Sequence, residues 1–99
     1  MDQIVQKSVS RKTRNKIHAT YKEVVLAGRM IVEPPSGTVH PDAYRKLLDL
    51  RERLVEVLGM SPTNTMQQTM LRDSLTSAAM DKSNVFNVYA DRLISNLQV

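Results

Sequence analysis

Seven cations fall in the first third of the chain: Lys7, Arg11, Lys12, Arg14, Lys16, Lys22 and Arg29. Only Asp2, Glu23 and Glu33 oppose them there, while seven basic and seven acidic residues cancel over residues 34–99. The whole net charge of +4 therefore belongs to one segment. Clustered ammonium and guanidinium groups are suited to neutralising phosphates, and the release of condensed counterions makes such binding salt-dependent. On a helix, the side chains at 7, 11, 14 and 22 come near one face, with Lys12, Lys16 and Arg29 spread around it. Thr13, Asn15, Thr20 and Tyr21 could add hydrogen bonds or sugar contacts. The plainer reading of the same run is a solvated helix face that aids solubility. A membrane surface fits less well, since tryptophan is absent and the apolar face lacks bulky insertion residues.

The remaining reactive residue types form no site. His18 and His40 are far apart, there is no cysteine, and no His-x-x-His or His-Glu-x-x-His spacing occurs, so neither a zinc site nor thiolate chemistry has support. His18 reads as a surface residue or phosphate contact and His40 as a helix cap. Gly28, Gly37 and Gly59 read as helix packing, turn and C-cap, and none leads into the Gly-Lys-Ser/Thr of a phosphate loop. Asp49, Glu52 and Glu56 lie among Arg45, Arg51 and Arg53, where Arg45–Asp49 and Asp49–Arg53 are spaced to pair along a helix. That pattern describes a solvated or intersubunit salt-bridge face better than an acid–base pair. No catalytic residue, metal or cofactor is expected, and the chain is read as a non-enzyme.

The elements that must position the basic run are helical. From Ile17 a stripe of Ile17, Tyr21, Val24 or Val25, Gly28 and Ile31 predicts a first helix over about residues 11–31, with an earlier start left open. Pro34-Pro35-Ser36-Gly37 breaks it. Val32 and Val39 flank that turn, a spacing compatible with a short β-hairpin over residues 31–40 or with a plain loop. Pro41 suits the first position of a second helix, with His40 as its cap and Gly59 as its left-handed terminator. Ser61-Pro62 is expected to start a third helix, Asp81-Lys82-Ser83-Asn84 to break it, and a fourth to carry Phe86, Tyr89, Ala90, Leu93, Ile94 and Leu97. The periodicity leaves open whether residues 62–97 form one helix or two.

These elements predict an all-α fold of about four helices in a single domain over residues 1–99, with residues 1–16 a basic N-terminal segment and 17–99 the helical core and assembly region. A chain of 99 residues buries only about 60–70% of its unfolded surface, and so thin a core favours homo-oligomers. The second helix carries an apolar stripe wider than one neighbour needs. Tyr44, Leu47, Leu50, Leu54, Val57 and Leu58 are the expected oligomer interface. The longest apolar stretch, Val24–Ala27 resumed at Met30–Val32, is too short to span a bilayer, and no targeting signal is read, so a cytoplasmic location is expected.

Residues 28–66 run Gly28-Arg29-Met30-Ile31-Val32, Pro35-Ser36-Gly37, His40-Pro41-Asp42-Ala43, a Leu-rich charged helix, then Leu58-Gly59-Met60-Ser61-Pro62-Thr63. This order resembles one branch of the tailed-phage terminase small subunits. In that family a helix leads through a glycine turn and a short extended segment to an Asn/His-Pro helix start, and that helix ends in Leu-Gly-Leu-Thr/Ser-Pro. Where the family continues Ser/Thr-x-Arg, this chain has Asn64-Thr65-Met66-Gln67, so DNA contact would fall to the basic N-terminal segment. The resemblance implies a packaging subunit that recognises double-stranded viral DNA, assembles into rings in the host cytoplasm and regulates a terminase large subunit. The residues alone are also compatible with a small dimeric DNA-binding regulator, or with a helical adaptor or inhibitor that binds another protein.

Overall fold

The computed structural model describes residues 9–33 and 37–97. Four helices follow one another: α1 Arg11–Val32, α2 Ala43–Leu58, α3 Thr65–Met80 and α4 Phe86–Leu97. No strand occurs among the described residues. The hairpin reading of residues 31–40 is therefore corrected: Ile31 and Val32 complete α1, residues 37–40 form bends and irregular chain, and residues 34–36 lie outside the described residues. Helix propagation adds one hydrogen bond per residue, and α1 stops where Pro34 disfavours helix in the residue before it.

The helix ends show which local signals win. Ser10 caps α1, its hydroxyl accepting from the Thr13 amide at 3.1 Å. The second helix starts two residues later than Pro41. The His40 imidazole Nδ1 accepts the Asp42 amide at 3.1 Å and the His40 carbonyl accepts the Ala43 amide at 2.9 Å, so His40-Pro41 makes a lead-in turn rather than the first helical position. At the other end Gly59 sits in the left-handed region with φ 72°. Its amide reaches the Glu56 carbonyl, and the Met60 amide reaches that of Val55, both at 3.1 Å. This double closure is the glycine-terminated cap that the sequence announces.

The third helix also starts later than expected. Asn64, not Ser61, is its cap, with Oδ1 accepting the Gln67 amide at 3.0 Å. Gln67 Oε1 in return accepts the Ser61 amide at 3.0 Å, and Gln68 Nε2 donates to the Ser61 carbonyl at 3.1 Å. The polar opening of α3 is occupied in closing the corner. At Asp81 the chain breaks again, so residues 62–97 form two helices.

α1 is the central element. It packs against all three other helices, and α3 and α4 pack on each other. Its Thr13 and Ile17 share a cavity with Val57 and Leu58 of α2 and with Ile94 and Leu97 of α4, so α2 and α4 run antiparallel to it. Ile17, Tyr21, Val24 and Val25 meet Leu50, Leu54, Leu71, Ala78, Phe86, Ala90 and Leu93 in one core. Tyr21 is fully buried, and its hydroxyl meets the Ser74 carbonyl at 2.9 Å and the Ser74 hydroxyl at 2.7 Å. Burial pushes the Tyr21 hydroxyl pKa up, and the Ser74 hydrogen bond opposes that shift.

Candidate nucleic-acid interface

Packing divides the basic residues of α1 into two groups. Arg14 and His18, one turn apart, turn toward α4. Arg14 Nε donates to Asp91 Oδ1 at 3.0 Å and its Nη2 to Oδ2 at 2.7 Å, while His18 Nε2 stands 2.7 Å from Oδ1. The guanidinium hydrogen bonds hold the Asp91 carboxyl down to about 2, against the opposing effect of partial burial and with help from His18. His18 is thus a half-buried partner of a carboxylate.

Arg29 is engaged still more completely. Its Nε donates to the Ala79 carbonyl at 3.1 Å, and Nη2 reaches the carbonyls of Ala78 at 3.3 Å and Asp81 at 3.1 Å. Nη1 donates to Asn84 Oδ1 at 2.7 Å, and the guanidinium carbon lies 5.5 Å from the Phe86 ring centroid. The last carbonyls of a helix lack intrahelical donors and carry partial negative charge. Arg29 supplies those donors from another helix. Expected from the sequence among the phosphate-binding residues, Arg29 serves in the fold as a clamp between α1 and the α3–α4 turn.

Arg11, Lys12, Lys16 and Lys22 form the other group. All four are exposed and none has an ion-pair partner among the described residues. They line the outer face of the N-terminal two-thirds of α1, together with exposed Asn15 and Ala19. Glu23, Leu26 and Met30 continue that face beyond them without further cations. No acidic side chain occupies the first turn of α1, and the unpaired amides of a helix N-terminus add positive potential there. Lys7 lies outside the described residues.

The expected oligomer interface is divided in the same way. Leu50 and Leu54 are buried within the chain, and Leu47, Val57 and Leu58 are half-buried against the same core. Of the six, only Tyr44 is substantially exposed, at 63%. The apolar surface that α2 does leave open is one the expected interface did not include. Leu48 and Val55, with Met60 and Pro62 after the helix, line a groove of about 510 Å³, edged by Arg51, Glu52 and Glu56. The double-closed helix end explains part of this groove, because it lays Met60 beside Val55. Asp49 makes no ion pair with Arg45 or Arg53 among the described residues; the entropy of ordering two long exposed side chains offsets so small a Coulomb gain.

No group of three or more metal-ligating side chains gathers among the described residues, and no helix there is long and apolar enough to cross a membrane. Compared with protein-family models, curated proteins and solved structures, the chain matches none.

Proposed function

We propose that this chain is a non-enzymatic DNA-binding subunit that works by assembly, in the manner of the terminase small subunits its residues 28–66 resemble. In this reading it binds the double-stranded DNA of a viral genome, assembles with copies of itself into a ring, and regulates a separate large motor subunit. The observation that carries the DNA half is the row of exposed cations Arg11, Lys12, Lys16 and Lys22, which no carboxylate among the described residues neutralises. Arg14, by contrast, is held by Asp91. The apolar groove along α2 supports the assembly half, since it offers open hydrophobic surface beside charged groups of both signs.

The test is duplex-DNA affinity across a salt series, for the natural chain and for a variant with all four cations changed to glutamine. Each neutralised phosphate contributes about −0.9 to the slope of log K against log salt, so four contacts predict a slope of about −3 to −4. The variant should lose most of that slope while keeping its helical signal. Affinity that does not respond to salt, or to the four substitutions, defeats the reading. Native mass decides the form of assembly. A closed ring supports the packaging subunit, and a DNA-binding dimer shifts the reading to a regulator. No DNA binding at low salt leaves the protein-binding adaptor.

A further inference from the structure

The outer face of α1 has an internal order that phosphate binding alone does not require. Arg11 and Lys22 lie along one edge and Lys12 and Lys16 along the other, roughly 100° apart around the axis. Between the two cationic edges stand Asn15 and Ala19, both exposed. Asn15 has no side-chain hydrogen bond among the described residues, so its amide is available. Cations on both edges with a short polar residue and a methyl group between them match a helix seated lengthwise in a groove walled by phosphates on each side. The B-form major groove is about 12 Å wide, and a helix with its side chains is about 10–12 Å across.

Resting on the DNA-binding reading above, we infer that α1 enters the major groove of duplex DNA and that Asn15 reads a base edge there. The four cations hold the two phosphate walls. The Asn15 amide, donating from its nitrogen and accepting at its oxygen, pairs with the N7 acceptor and N6 donor of an adenine. Ala19 keeps the helix close to the groove floor, where a larger side chain would hold it away, and its methyl group faces the bases. Glu23 marks the end of the contact, because a carboxylate beside phosphates is repelled. Arg14 and Arg29 take no part, being held by Asp91 and by the end of α3.

The experiment is selection from a randomised duplex library, followed by competition binding, for the natural chain and two variants of exposed residues. The natural chain should enrich a short motif with an adenine at one position. Asn15→Ala should keep its affinity for random duplex and its salt slope, and lose about tenfold or more discrimination at that one position. Ala19→Leu, which keeps helix propensity and charge, should weaken duplex binding about tenfold at unchanged helical signal. Double-stranded RNA should compete poorly, since its major groove is too deep and narrow for a helix. A motif unchanged by Asn15→Ala, an Ala19→Leu variant of natural affinity, or equal competition by double-stranded RNA overturns the groove placement. Each of those leaves the phosphate-binding reading standing. Absence of duplex binding by the natural chain overturns both.

Discussion

The guanidinium of Arg14 on α1 meets the carboxylate of Asp91 on α4 side-on, through two parallel hydrogen bonds of 3.0 and 2.7 Å. Seventy-seven residues separate the two in sequence. The pair ties α4 to α1 and engages one cation of the basic run. Its pH dependence follows from the depressed Asp91 pKa. The carboxyl ionises at about 2 in the folded chain and near 3.9 when unfolded, so its contribution is present above about pH 4 and is lost as pH falls toward 2. Urea unfolding at a series of pH values should show Asp91→Asn less stable than the natural chain at neutral pH. That difference should close between about pH 4 and 2. A gap that stays constant to pH 2 counts against the ion pair as its source.

Arg29→Met should destabilise the chain by about 2 kcal/mol, since it removes charge-assisted donors from three partly buried carbonyls and from Asn84. Duplex-DNA affinity should stay within twofold of the natural chain. Hydrogen exchange should localise the loss to residues 78–86. If instead stability holds and DNA binding falls, Arg29 is a phosphate contact after all.

Leu54→Ala should cost about 2–5 kcal/mol, because the side chain is fully enclosed and its removal opens a cavity. Tyr21→Phe keeps the ring and removes only the hydroxyl that meets Ser74, so the expected loss is about 1 kcal/mol. Denaturant midpoints at fixed m-value check both. Leu54→Ala at natural stability would place Leu54 on an exposed face, where an interface role becomes available again.

Leu48→Asp separates folding from assembly. Leu48 is 42% exposed and lines the α2 groove, so a carboxylate there remains solvated in the single chain. The helical signal should be retained while native mass by light scattering falls to that of one chain. An assembly that survives the change uses another surface.

Gly59→Ala should lower stability by about 1 kcal/mol. No atom stands within 4 Å of an added Cβ, so the cost is the left-handed backbone alone. Asn, which tolerates that conformation, should restore part of the loss. Thermal unfolding of the two variants side by side measures the difference.

The sequence by itself determined an all-α chain and marked where its helices break, but left open whether residues 62–97 are one helix or two. Gly59 and the Asp81–Asn84 run act through backbone geometry and local hydrogen bonds, which hold wherever those residues stand, whereas the Ser10 cap emerged only in the structure. The exact starts of α2 and α3 were less legible, because His40-Pro41 and Ser61-Pro62 suit a lead-in turn as well as a first helical position. Only the tertiary structure decided which cations are free and which leucines are open. Arg29 is engaged by carbonyls some 50 residues away, and Arg14 by Asp91. Leu50 and Leu54 disappear against α1 while Leu48, on the same helix, remains in the groove. Periodicity shows that a helix has an apolar face. The width of that face that becomes buried, and the charges left over, depend on what packs opposite, and no local interaction carries that information.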